Sequence, residues 1–195
     1  MEHELKMNFL SLASHTHQPD WGSSGSSGAI SIAPLAQSDV DAMVEMIKEN
    51  LNPFEEAGSV LAAAHRRLQN FYEVYTAPGS VYITIKDTSK TQLIGGAGLG
   101  PFAGLNPAEG IGEIRELVID PPFRGKGFGA QLIQSCLFWA EKFSYRRLYL
   151  ETTPQMEHAQ QLFRRFQFKP VTLQTAGGNG ESDQQQLPCY FMLER

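Results

Sequence analysis

One stretch limits what this chain can fold into more than any other, Gly112 to Glu141. It begins with an apolar run, Ile114, Leu117, Val118 and Ile119. Such residues suit the pleated, half-buried surface of a strand. Pro121 and Pro122 end that strand, because proline has no N–H for a ladder. Arg124-Gly-Lys-Gly-Phe-Gly129 then opens a segment whose Leu132, Ile133, Cys136, Leu137 and Ala140 recur at helical spacing. The first N–H groups of a helix have no internal partner, and the helix dipole adds partial positive charge there. Glycines at 125, 127 and 129 remove the side chains that would keep an anion from those amides. Arg124 and Lys126 add full charges. A strand, a stop, a glycine loop and a helix in this order predict a site for phosphate or pyrophosphate.

The spacing excludes two common phosphate loops. No Gly-Lys-Ser/Thr follows, so it is not a P-loop, and Ala130 stands where a dinucleotide fingerprint starting at Gly125 needs glycine. Charge excludes another class of partner. The formal net charge of −5 over 195 residues argues against a nucleic-acid partner, whose backbone needs a basic surface. No apolar run approaches the roughly 18 residues of a membrane span. Cys136 and Cys189 form neither a metal-ligand spacing nor a disulfide framework. A reducing, cytoplasmic setting is the expectation, with no metal.

Residues 1–28 read as a flexible tail rather than fold, with linker composition over Gly22-Ser-Ser-Gly-Ser-Ser-Gly28, and residues 29–195 read as one domain. His15 and His17 sit in that polar tail as solvated residues. Ala29–Ala33 alternates as a first strand. A helix follows from Ser38 or Asp39, with Val40, Met43, Val44 and Ile47 apolar, and Pro53 breaks it. A second helix is expected over Val60–Tyr72. Pro78-Gly79 turns the chain into a hairpin of Val81–Ile85 and Leu93–Leu99. The glycines at 95, 96 and 98 allow bulges or close approach. After the central strand and helix come a strand over Tyr145–Glu151, a helix over about Gln155–Phe166, a strand at Val171–Leu173, a polar loop at Gln174–Leu187 and a last strand at Cys189–Leu193. The strand–helix–strand unit from 114 to 150 implies a parallel pair.

Arg124, Gly127 and Gly129 fill an Arg-x-x-Gly-x-Gly pattern, preceded by Leu117-Val-Ile-Asp-Pro-Pro-Phe-Arg124. This resembles the acyl-CoA-binding motif of the GNAT superfamily of N-acetyltransferases. A second segment, Leu150-Glu-Thr-Thr-Pro-Gln-Met156 with Ala159, Leu162, Phe163 and Phe168, resembles that family's second cofactor segment. It departs at Phe163, where the family has Tyr, and at Gln167, where the family has Gly. The resemblance covers about Ile30 to Glu194. It implies an α+β fold in three layers: a mixed, mostly antiparallel sheet of about seven strands with a splayed parallel pair, flanked by about four helices. It implies acetyl-CoA as acyl donor, contacted by Leu117, Val118, Ile119, Arg124, Gly125, Lys126, Gly127, Phe128, Gly129, Ala130, Met156 and Phe163. Homodimers are frequent in the family.

Acetyl transfer to an amine requires loss of the ammonium proton, polarisation of the carbonyl and close positioning of the reactants. A strand N–H near Val118 is a candidate for the second task. Glu113, eleven residues before Arg124, matches the position of the general base in some members. Period two puts Glu113 on one face with Arg115, a candidate for a substrate carboxylate, and Glu116, the second base candidate, on the other. Phe163 has no hydroxyl with which to protonate a departing thiolate, a role the family Tyr fills. Tyr190 is the candidate for that proton, with His158 beside it as another, and His65 reads as a surface residue. The expected function is acetyl-CoA-dependent acetylation of a primary amine on a small molecule. Acetylation of a protein or peptide, and a non-catalytic acyl-CoA-binding module, are the alternatives.

Overall fold

Central strands buried on both sides and one apolar stripe per helix assemble this chain into a sheet covered on both faces. The computed structural model describes residues 30–51, 59–172 and 189–195. The tail 1–28, the break at Pro53 and the loop 174–187 fall outside the described residues. The strands are β1 (Ile30–Pro34), β2 (Val81–Asp87), β3 (Gln92–Pro101), β4 (Ile111–Ile119), β5 (Arg147–Thr152), β6 (Lys169–Val171) and β7 (Cys189–Glu194). The helices are α1 (Val40–Leu51), α2 (Ser59–Gln69), α3 (Phe71–Thr76), α4 (Phe128–Lys142) and α5 (Glu157–Arg165). Sheet order is β1-β2-β3-β4-β5-β7-β6. Among the described strands only β4 and β5 run parallel, as the strand–helix–strand unit requires.

Two cores form. On one face Leu132, Ile133, Cys136 and Ala140 of α4, with Phe163 of α5, pack on Ile83, Ile85, Leu99, Ile114, Leu148 and Leu150. On the other, Met43 and Ile47 of α1 and Phe71 and Tyr75 of α3 pack on Tyr82 and Val118. The glycine row of β3 makes the second core possible. A Cβ at Gly96 would collide with the Tyr82 ring, at Gly98 with Tyr75, and at Gly100 with the Arg115 guanidinium. The space left at Gly96 and Gly98 is filled by the Tyr82 and Tyr75 rings, which with Phe71 form an edge-to-face cluster with centroids 4.8–5.0 Å apart.

The helix expected over 60–72 is interrupted. Asn70 leaves helical geometry (φ −130°, ψ 47°), so α2 and α3 are separate and the described residues hold five α-helices rather than about four. Asparagine suits such a break because its side chain competes with helical bonding. The break aims Phe71 and Tyr75 at the sheet. The sixth strand lies earlier than expected, at 169–171. Both α4 and α5 end in Schellman motifs. For α5, Phe168 N–H donates to Phe163 O and Gln167 N–H to Arg164 O, with Gln167 at φ 65°. That left-handed position is where glycine is most at ease.

Candidate active site

The site is made by a bulge in β4. Gly96 pairs with Val118 but Gly98 with Arg115, so Glu116 and Leu117 together face Ala97. Glu116 takes φ 42° to do so. The bulge breaks period two and corrects the expected facing of Glu116. Leu117 and Ile119 pack on the α4 side, and Val118 on the α1–α3 side. Arg115 and Glu116 both turn toward α3 and meet Tyr75, and Glu113 lies 3.9 Å from Arg115.

Glu116 is then locked. Arg67 of α2 donates to its Oε1 from Nε at 2.6 Å, the Tyr75 hydroxyl donates to Oε2, and the Tyr82 hydroxyl donates to its backbone O at 2.9 Å. Its side chain is 1% exposed. Both carboxylate oxygens have donors, so Glu116 is better placed to hold the bulge than to take a proton.

Immediately before the bulge, β4 and β5 part. Their pairing ends at Ile114↔Leu150, while β5 continues with β7 to Thr152↔Cys189. Among the described residues, 115–119 therefore have a partner strand on the β3 side only. At the far end of this gap lies the glycine loop. Gly127 caps α4 at φ 86° with no side-chain hydrogen bond, and Gly125 is at φ 73°. A Cβ at either would meet open space. The amides of residues 125–129 donate to no turn or cap carbonyl among the described residues. Arg124 is tied back, its Nε donating to Ile119 O at 3.0 Å and its Nη2 to Asn50. Lys126 Nζ lies 5.1 Å from the Phe123 ring centroid. On the β5 side of the gap, the Thr152 and Thr153 hydroxyls are buried without a partner. Open amides, positive charge and two orphaned hydroxyls fit a long polar ligand with an anionic end.

The opposite end is acidic. Glu113 pairs in register with Tyr149, and Tyr149 lies against Phe102 with centroids 4.4 Å apart. Two residues along β5, Glu151 accepts a hydrogen bond of 2.8 Å from the Tyr190 hydroxyl on β7. Burial pushes the Glu113 carboxyl above the ordinary range, with Arg115 pulling the other way. Burial also raises Glu151, and burial together with Glu151 raises Tyr190, which keeps its proton. Phe163 is 4% exposed, with its ring between Phe168 and Phe191 in the core. Met156 is half-buried just before α5, and Ala130 half-buried in the first turn of α4. His158 and His65 are exposed on their helices. Glu151, Tyr75 and Arg67 were absent from the expected site. The sequence carries no signal for them: Arg67 and Tyr75 reach β4 from more than forty residues away, and Glu151 is tied to the site by Tyr190 of β7.

The pattern of the Acetyltransferase (GNAT) family matches residues 43–168. This chain belongs to the GNAT acetyltransferase family. The uncharacterized N-acetyltransferase YjgM of Escherichia coli is 29% identical over 108 residues, a match covering 55% of this chain and 62% of that protein. The uncharacterized N-acetyltransferase C1271.07c of Schizosaccharomyces pombe is 27% identical over 141 residues, 72% of this chain and 82% of that one. Among solved structures, a GNAT-family acetyltransferase from Staphylococcus aureus superposes with TM-score 0.65 at 15% identity, covering 85% and 99% of the two chains. The yncA protein of Salmonella typhimurium, solved with its cofactor acetyl-CoA, gives 0.63 at 17%, covering 85% and 94%. The open sheet with its single parallel pair is therefore the GNAT fold. No helix among the described residues is long and apolar enough to cross a membrane.

Proposed function

We propose that the protein is an acetyl-CoA-dependent N-acetyltransferase acting on a primary amine of a small molecule by direct attack in a ternary complex. The observation that carries this reading is the parting of β4 and β5 at Ile114 and Leu150, with open loop amides at one end and Glu113 at the other. Bound acetyl-CoA would supply an acetyl group on a thioester. The amides of Gly125, Lys126, Gly127, Phe128 and Gly129 would hold its pyrophosphate, and the free edge of β4 from Arg115 to Ile119 would pair with its polar arm. Thr152 and Thr153 offer their hydroxyls from the facing strand.

Glu113 takes the proton from the acceptor ammonium. Its raised pKa brings it nearer the working pH, as an effective base needs. A β4 N–H near Val118 donates to the acyl oxygen. The buried setting strengthens both interactions. Tyr190 stays protonated and supplies the hydroxyl that Phe163 lacks, with Glu151 orienting it.

The test is thiol release by the purified full chain with acetyl-CoA and a panel of amines, alongside calorimetric titration with CoA. Saturable release with at least one small amine supports the proposal. CoA binding with no turnover on any small amine or peptide would replace it with a binding module, the reading that the buried ring of Phe163 favours. Absence of CoA binding would overturn both.

A further inference from the structure

Arg115 is the group in this site that the proposed chemistry does not use. Its side chain is 9% exposed, and its Nε has no hydrogen-bond partner. Glu116 is its sequence neighbour, but both Glu116 oxygens are taken by Arg67 and Tyr75. Glu113 Oε2 stands 3.9 Å from Arg115 Nη1, beyond hydrogen-bond length. The Tyr75 ring covers the guanidinium carbon at 5.4 Å, and the bare backbone of Gly100 makes room for it. Burial works against the charge, and Tyr75, Glu116 and Glu113 around it outweigh that, so the guanidinium stays protonated. The charge has its neighbours, but among the described residues the buried Nε donor has no acceptor, and a buried donor left idle is costly unless a ligand's acceptor meets it.

We infer that the acceptor is a zwitterion, an amine carrying a carboxylate-type anionic group close to its nitrogen, with the ammonium on Glu113 and the anion on Arg115. The Glu113–Arg115 pair, held apart on one strand face, matches a ligand whose opposite charges are separated by a single carbon. Planar guanidinium donors suit a carboxylate better than a point charge does. An α-amino acid has this chemistry. The inference deepens the proposed function and rests on an amine entering at Glu113.

The experiment compares α-amino acids with the matching amines that lack the carboxylate, in two readouts. One is KM in the thiol-release assay. The other is the thermal shift each compound gives the full chain in the presence of CoA, which requires no turnover. The inference expects a KM roughly 10- to 100-fold lower for the amino acids, the range of a charge-assisted contact. It also expects a larger thermal shift for them. Arg115→Gln should bring the two KM values together and Arg115→Lys should restore part of the gap, a selectivity change that a purely structural arginine would not produce. Equal KM values and equal shifts for the two sets in the unaltered protein would overturn the inference, whether or not Arg115→Gln folds. Larger shifts for amino acids with no thiol release would uphold the site and refute the acetyltransferase reading instead.

Discussion

Replacing Glu116 with Ala should be among the most damaging single changes in this fold. The carboxylate receives Arg67 and Tyr75 on its two oxygens while 1% exposed. Removing it strands a half-buried guanidinium and a buried phenol, whose hydroxyl burial already holds far from ionisation. Breaking such a buried pair costs about 3–5 kcal/mol. Alanine does not relieve the backbone, because φ 42° strains any residue with a Cβ by about 1–2 kcal/mol. Glu116→Gly relieves that strain and should therefore lose about 1 kcal/mol less. In a chain of this size the Ala variant should lower Tm by roughly 6–20 °C, at about 2–4 °C per kcal/mol. Urea midpoints with unchanged m-values measure the loss directly. A double-mutant cycle with Tyr75→Phe should return a coupling of about 1 kcal/mol or more. A loss below about 1 kcal/mol for Glu116→Ala, or no coupling to Tyr75, would refute the idea that this side chain holds the bulge.

Three further outcomes follow from the same geometry. Gln167→Gly should raise stability by about 0.5–1 kcal/mol, since the α5 cap holds Gln167 at φ 65°, and denaturant unfolding reads this. Glu113 and Glu151 have native pKa values raised above their unfolded ones, so the native state binds protons more tightly in that window. Stability should therefore fall as pH rises from the ordinary carboxylate range through the raised native values, and Glu113→Gln should flatten that slope in a Tm-versus-pH series; the acid limb of kcat/KM should likewise lie above the ordinary carboxylate range and vanish, with most of the activity, in the same variant. Gly127→Val places a branched side chain at φ 86° beside the loop amides and should weaken CoA affinity at least 10-fold by calorimetry.

The strands and the glycine loop before α4 could be read from the chain because their causes are local. Val81-Tyr-Ile-Thr-Ile85 and Tyr145–Glu151 carry β-branched and aromatic residues, and β2 and β5 form there. Pro121 and Pro122 stop β4 by chemistry that needs no neighbour. The bulge was hidden because one extra residue in a ladder leaves no compositional mark. It reversed the face of Glu116 and so turned a candidate base into a clamp. Asn70 breaks the helix although Leu68, Phe71 and Tyr72 preserve helical spacing through it. Arg67, Tyr75 and Glu151 joined the site through tertiary contact alone, which periodicity within one segment does not encode. Phe163 was legible as a departure from the family tyrosine; its place beside Phe168 and Phe191 required the packed core.

The measurement that most directly tests this account is amide hydrogen exchange of the full chain with and without CoA. If the donor lies along the parted edge of β4 and on the mouth of α4, exchange should slow at residues 125–129 and at 115–119 together. Protection confined to other segments, with those two unchanged by saturating CoA, would contradict it.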